Sequence, residues 1–341
     1  MKVMIMAGGQ GTRFWPWSVK NRPKQFLPLH SKKTMIQETF ERYSQWLSKE
    51  KIYVVTTEEY HDLLMEQLPQ LPSEQIILEP ERKDTAPCVA LTALHCLEKD
   101  EDEVLVMSPA DQYISDSQEL METLLLAEKI ANSGHSIVTL GIPPTRPETG
   151  YGYIKTKYPS FIENKVLHVE KFIEKPFLDH AETLINDNNV FWNSGIFVSK
   201  PSTIAYYMEK FQTNIWNTLI KNKDNLKTAY LKLPKISVDY AILEKADEVY
   251  MIPVTFDWDD LGTWGSLERF KKEDQNHNIL IGNVQVLSSE NCMIISEKQN
   301  AMVLGAKDLI IVLTEEGLLV CHKSQEQEIK NLLNSWPETN K

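Results

Sequence analysis

Residues 3–28, VMIMAGGQGTRFWPWSVKNRPKQFLP, constrain the fold more than any other stretch of the chain. An apolar run over 3–7 passes directly into Gly8, Gly9, Gln10, Gly11, Thr12 and Arg13. A buried strand ending in a glycine-rich turn offers a row of backbone N–H groups with few side chains in the way. Such a turn suits a phosphate chain. The spacing of Gly8, Gly9 and Gly11 is not G-x-G-x-x-G, and no Gly-Lys-Ser/Thr follows, so the usual dinucleotide and P-loop fingerprints do not fit. What sets the stretch apart is a pair of cations, Arg13 and Lys24, bracketing a segment that holds Trp15, Pro16, Trp17 and Pro23.

Beyond the loop, apolar strands alternate with helical patterns, which predicts an α/β layer architecture with a mixed, mostly parallel sheet. The strands are expected at 3–7, 52–56, 75–78, 103–107 and 136–141, and the helices at 35–46, 58–68, 85–99 and 117–132. Ligands in such sheets sit beyond the carboxyl ends of strands, which puts Gly8, Glu79 and Asp111 on one rim. From residue 150 the pattern changes to longer strands and loops rich in Tyr, Trp and Asn, the make-up of a lobe shaped around a hydroxylated ligand. A helix at 238–245 and a strand at 249–253 follow. After 272 come short apolar pieces (282–287, 292–296, 301–304, 309–313, 317–322) and an amphipathic segment, 325–336. Regular short strands suggest a sandwich, a small barrel or a β-helix. The expected division is therefore 1–272 for the main domain and 273–341 for a small all-β domain with a terminal helix.

A formal net charge of −12 argues against a nucleic-acid surface, which needs clustered Lys and Arg. Cys88, Cys96, Cys292 and Cys321 lie in apolar stretches without C-x-x-C spacing, so they read as core residues of a cytoplasmic protein. No signal-type segment or membrane-length apolar run is present, so no membrane partner is expected. His61, His95, His135, His168, His180, His277 and His322 show neither ligand spacing nor acid–base pairing.

Several further residues carry candidate chemistry. Glu79 ends a strand, and Asp84 stands as a natural cap before Thr85. A guanine presents N1–H and N2–H donors together and needs an acceptor. Glu79 is one candidate, with the backbone near Thr85 beside it, and a surface strand-end carboxylate is the alternative. Asp111 follows the apolar run ending in Pro109-Ala110, where a carboxylate is well placed to hold Mg²⁺. A second carboxylate lies far along the chain in Trp258-Asp259-Asp260-Leu261-Gly262-Thr263-Trp264. Asn193, followed closely by Gly195, has an amide able to donate to one hydroxyl and accept from another.

In Gly8 to Arg13 and Arg22-Pro23-Lys24, with Phe14-Trp15-Pro16-Trp17-Ser18 inside, the chain resembles the sugar nucleotidyltransferases, specifically their mannose-1-phosphate guanylyltransferase branch. The resemblance runs through six motifs in the family's order over nearly the whole chain. It implies a Rossmann-like nucleotidyltransferase domain and, at the C-terminus, a short left-handed β-helix. It implies nucleotide binding by Ala7, Gly8, Gly9, Gly11, Thr12, Arg13, Lys24, Glu79, Thr85 and Asp111. Gly150, Tyr151 and Gly152 match the family's sugar-contacting G-Y-G segment. Glu174 and Lys175 match its E-K-P signature, with Glu on sugar hydroxyls and Lys on the sugar phosphate, and Asn193 joins them. Arg13, Lys24 and Lys175 become the catalytic cations, and Asp111 and Asp260 the Mg²⁺ ligands, with Asp259 the close competitor. Asp239 also matches a family motif, although an Asp that begins a helix is usually a cap. Arg82-Lys83-Asp84 departs from the usual Arg-Asn before Thr-Ala-Pro. The implied reaction is GTP plus α-D-mannose 1-phosphate to GDP-mannose and diphosphate. The apolar C-terminal β segment and the stretch from Ile329 to Leu333 offer a face to a second subunit, so a homodimer is expected. Some family members continue into a cupin-type isomerase domain; ending at Lys341, this chain is not expected to have isomerase activity.

Overall fold

Val3, Met4 and Ile5 are fully buried, and this strand, Lys2–Met6, has neighbours on both sides. The computed structural model describes residues 1–158 and 166–336; segment 159–165 and the last five residues of the expected C-terminal domain lie outside the described residues. The strand sits within a nine-stranded sheet whose order is Ile76–Glu79, Ile52–Thr57, Lys2–Met6, Leu105–Pro109, Val190–Ser199, Ile137–Ile142, Val249–Pro253, Leu167–Glu174, Gly152–Thr156.

The sheet is mixed. Among the described residues four pairings are parallel and five antiparallel. The antiparallel ones arise because Val190–Ser199 inserts next to Leu105–Pro109 and Ile137–Ile142, a long-range pairing that local alternation does not reveal. Helix Thr85–Leu97 is apolar nearly all round and buried from Ala86 to Leu94, as a helix enclosed in a core must be.

The expectation of strands and loops after residue 150 needs correction. Helices Leu178–Leu184, Pro201–Phe211, Thr213–Lys221 and Leu226–Tyr230 occupy much of this region. Pro201 stands in the first turn of its helix, where its missing N–H costs nothing. Ile204, Tyr207 and Met208, like Ile215, Trp216 and Leu219, recur at helical spacing and enter the main core cluster. Their aromatic content disguised a packing face as a ligand-binding lobe.

The C-terminal strands Ile279–Leu287, Met293–Leu304 and Leu309–Thr314 stack in parallel, and Gly317–His322 closes the set antiparallel. Consecutive parallel strands joined by short turns are the pattern of a β-helix. Met293–Leu304 is one strand where two were expected, because its exposed polar stretch 297–300 hides the continuity.

By packing, the chain divides into two units that do not follow the 272/273 boundary. One comprises Met1–Gly8, Thr39–Ala110 and Ile114–Trp258; the other comprises Gly9–Glu38, Asp111–Tyr113 and Asp259–Lys341. The second unit has its own core, in which Phe14, Trp17, Leu261 and Trp264 join Ile279, Met293, Ile295, Ile310 and Val312. Trp264 meets Phe14 edge-on at 5.1 Å and stacks on Trp17 at 5.9 Å. Trp17 Nε1 donates to Glu297 at 2.5 Å. The loop's tryptophans thus tie the glycine turn to the β-helix. Trp264→Ala removes the centre of this cluster and should cost about 3–5 kcal/mol in urea unfolding; a loss below about 1 kcal/mol would show that the cluster does not anchor the loop.

Candidate active site

The glycine turn is shaped by Lys24. Gly11 has φ +61°, and a Cβ there would lie 2.2 Å from Lys24 Cβ, so only glycine fits. The carbonyl of Gly9 accepts from Gln25 Nε2 at 3.0 Å, and that of Gln10 from Ser18 Oγ at 2.9 Å. Two carbonyls are thereby held by protein donors. Thr12 and Arg13 form a short 3₁₀ turn, Thr12–Phe14, and among the described residues nothing pairs with the half-buried Arg13 side chain.

Lys24 is 5% exposed. Its ammonium contacts Asp111 Oδ2 at 2.8 Å and donates to the main-chain carbonyl of Asp260. Asp111 and Asp260, 149 positions apart in the sequence, therefore meet around one cation. Asp260 Oδ1 accepts from Gly262 N at 2.9 Å, and a Cβ on Gly262 would be 2.6 Å from Asp260 Oδ2. Asp259 is engaged elsewhere: it is 3% exposed, takes Arg269 Nε at 2.9 Å and also Arg269 Nη2, and accepts from Leu261 N. Of the two neighbours, Asp260 is the one beside Lys24. Among the described residues no group of three or more His, Cys, Asp or Glu is arranged for a metal. Aspartate oxygens are the donor type that a hard divalent ion takes; here the Asp111 carboxylate is on Lys24 and the Asp260 carboxylate is on Gly262 N.

In the other unit, Ala7 N donates to Val55 O at 2.8 Å and Ala7 O accepts from Thr56 Oγ1 at 3.0 Å, fixing the strand end that leads to Gly8. Glu79 is no surface carboxylate. It is 4% exposed, its Oε1 accepts from Tyr230 OH at 2.5 Å, and its Oε2 lies 3.2 Å from where a Gly8 Cβ would stand. Burial pushes its acid up to about 7, against the stabilising hydrogen bonds from Tyr230 and Cys88. Asp84 caps helix Thr85–Leu97 through Thr85 N at 2.9 Å, and Thr85 Oγ1 accepts from Val238 N at 2.8 Å.

A second polar cluster gathers Gly152, Glu174, Lys175, Asn193 and Asp239. A Cβ on Gly152 would be 2.7 Å from Glu174 Oε2. Glu174 pairs with Lys175, which is otherwise exposed. Asn193 Nδ2 donates to Asp239 Oδ1 at 3.0 Å, while Asn193 Oδ1 accepts from Gly195 N at 3.1 Å and Thr139 Oγ1 at 3.2 Å. The expectation that this amide both donates to and accepts from a ligand is corrected: its oxygen is held by the protein, and an N–H remains. Asp239 opens a five-residue π-helix, Asp239–Leu243, a rare geometry that recurs at functional sites. Burial first, and Glu174 second, raise its acid to about 6. Gly150 N donates to Glu148 Oε1 at 3.2 Å, and Tyr151 packs edge-on against Trp192 at 5.2 Å.

Three of the eight non-glycine residues with positive φ among the described residues fall in these motifs. Asp84, Lys175 and Leu261 all have positive φ (66°, 45° and 46°), a conformation held in non-glycine residues only where surrounding structure enforces it. Sequence reading missed Tyr230 and Thr139, which are buried at ordinary helix and strand positions; only the long-range contacts reveal them.

Residues 2–277 match the Nucleotidyl transferase family model, and residues 282–335 match the MannoseP isomerase/GMP-like beta-helix domain. A mannose-1-phosphate guanylyltransferase of Klebsiella pneumoniae is 35% identical over 96% of this chain and 72% of its own length. The alginate biosynthesis protein AlgA of Pseudomonas fluorescens is 33% identical over 97% of this chain and 71% of its own. Among solved structures, one titled a mannose-1-phosphate geranyltransferase, from Thermus thermophilus, superposes with a TM-score of 0.87 at 31% identity, covering 98% of both chains. No helix among the described residues is long and apolar enough to cross a membrane.

The buried Glu79 yields a signed pH prediction. Its folded-state value near 7 stands above the ordinary 4.5, so its contribution to stability is full below about 4.5 and is lost as pH rises through 7. Glu79→Gln keeps an acceptor for Tyr230 and cannot ionise. Relative to the parent protein it should therefore gain about 3 kcal/mol of unfolding free energy between pH 4.5 and pH 8. Denaturant titrations at both pH values check this, and a pH-independent difference would contradict it.

Proposed function

The chain belongs to the nucleotidyl transferase family, and on that premise we propose that it transfers the guanylyl group of GTP to α-D-mannose 1-phosphate, giving GDP-mannose and diphosphate. The observation that carries this reading is Lys24, a buried ammonium that touches both Asp111 and Asp260 and closes against the glycine turn. A cation held between the Asp111 carboxylate and the Asp260 carbonyl, beside a glycine-rich turn, supplies charge and backbone of the kind a triphosphate needs.

Nucleotidyltransferases of this kind use a divalent metal, and Mg²⁺ on Asp111 and Asp260 is our reading of the ion here. When bound, it would neutralise phosphate charge. The protein's own contribution is alignment. A sugar-phosphate oxygen, already anionic at neutral pH, attacks the α-phosphorus in line, and diphosphate leaves. No proton has to be removed from the nucleophile, so neither a general base nor a covalent intermediate is required. Gly8, Gly9, Gly11 and Thr12 receive the triphosphate through the backbone, while Arg13 and Lys24 balance its charge and that of the leaving diphosphate. Glu79, with Thr85 beside it, takes the base. Glu174 and Asn193 hold sugar hydroxyls next to the Gly150-Tyr151-Gly152 turn, and Lys175 holds the incoming phosphate. Asn193 acts as a donor, its oxygen being occupied. A homodimer in the cytoplasm completes the reading.

Diphosphate release from GTP, Mg²⁺ and mannose 1-phosphate, with GDP-mannose identified as the product, tests the assignment. A panel of GTP, ATP, UTP and dTTP against mannose, glucose and heptose 1-phosphates should show GTP with mannose 1-phosphate as the preferred pair. Lys24→Ala and Asp260→Ala should each lower turnover by roughly 10² or more. A loss under about threefold in a variant that melts like the parent would remove that residue from the mechanism.

A further inference from the structure

Thr57, Glu79, Cys88 and Tyr230 form a buried polar group that phosphate chemistry does not require. Thr57 and Glu79 are register partners on adjacent parallel strands. Side chains of register partners leave the sheet on the same face, with the strands about 5 Å apart. Two residues earlier on each strand, Val55 and Ile77 belong to the core cluster that contains Ala86, Cys88 and Tyr230. Thr57 and Glu79 therefore face the side covered by helix Thr85–Leu97.

Thr57 is 3% exposed, and its hydroxyl has no hydrogen-bond partner. Most buried hydroxyls in native proteins are paired, so an orphan at a strand's carboxyl end calls for an explanation. Glu79 supplies one. Its Oε1 is taken by Tyr230, whose ring is fully buried, and this contact spans 151 positions of sequence. Its Oε2 faces the empty Cβ position of Gly8 at 3.2 Å. A ligand atom lying on Gly8, in the space any side chain would fill, is thus within hydrogen-bonding distance of a carboxylate oxygen that the protein holds in place.

We propose that Tyr230 and Thr57 determine the nucleobase selected at this site: Tyr230 fixes Glu79 as the acceptor for a purine's N1–H and N2–H donors, and the Thr57 hydroxyl donates to O6. This rests on the reading of Glu79 as the base acceptor. Guanine offers O6, N1–H and N2–H side by side; hypoxanthine lacks the N2 amine, and adenine carries a donor in place of O6 and has no N1–H. Tyr230 is a positioning residue, acting through Glu79; Thr57 touches the base directly. A site built around hydrogen-bonding groups rejects analogues that lack the matching atom, because its own polar groups are then left unpaired.

GTP, ITP and ATP, each with saturating mannose 1-phosphate, separate the roles in the full-length enzyme. Tyr230→Phe keeps the ring and removes the tether on Glu79, so the preference for GTP over ITP in kcat/KM should fall about tenfold, with KM for mannose 1-phosphate unchanged. Thr57→Val is nearly isosteric and should weaken GTP and ITP alike, about tenfold, while leaving ATP unaffected. Should Tyr230→Phe fail to fold, Thr57→Val still decides. Equal losses for all three nucleotides, or a change confined to KM for the sugar phosphate, overturn the proposal. Glu79→Gln tells the two levels apart. An unchanged GTP-to-ITP ratio in that variant refutes the acceptor reading itself. A collapsed ratio there, with both other variants behaving as the parent, refutes only the roles of Tyr230 and Thr57.

Discussion

The organisation of the second unit depends on one buried ammonium. A cation taken out of water needs oxygen partners, and Lys24, 5% exposed, finds them in Asp111 and the carbonyl of Asp260. To bring those partners in, the chain must return to the same place from residue 111 and again from residue 260. The position of Lys24 has a local consequence as well: its Cβ blocks any side chain at residue 11, so glycine is required where the turn passes through the left-handed region. One interaction thus couples the identity of a glycine, the route of two distant segments and the charge balance of the site.

Nearly all of the main elements before residue 142 could be read from hydrophobic periodicity, because those strands and helices are locally consistent. The motifs were legible for the same reason, as short strings in which glycine, proline and charge occur together. Partnership was not. Nothing in the string Trp258-Asp259-Asp260 shows that Arg269 claims the first aspartate and Lys24 approaches the second; a pair ten residues away and another over two hundred away decide it. Asn193 was visible as an amide, but the commitment of its oxygen to Gly195 and Thr139 depends on a strand insertion invisible to local pattern. Helices such as Pro201–Phe211 were missed because their buried aromatics looked like ligand contacts until their helical spacing was tied to a core.

Some strain and unfavourable burial falls in or beside the candidate-site motifs. Asp84, Lys175 and Leu261 hold positive φ, while Glu79 and Asp239 are buried acids whose protons leave only at raised pH. A fold under selection for stability alone would place glycine or asparagine at the first three and apolar residues at the other two. Retaining acids and strained backbone requires rigid surroundings, and those are present: Glu79 beneath a fully buried tyrosine, Asp239 against Asn193, Leu261 within an aromatic core.

The same rigidity explains why packing and sequence draw different boundaries. A glycine turn is flexible by nature, and phosphate transfer demands that it be still. The strand that feeds the turn cannot immobilise it beyond Gly8. Trp15, Trp17 and Phe14 do so instead, against Trp336, Trp264 and Glu297, and Thr314 Oγ1 reaches the carbonyl of Pro16. The C-terminal unit therefore braces the glycine turn mechanically. Damage to its packing acts on the segment from Gly9 to Lys24, which lies in the same unit.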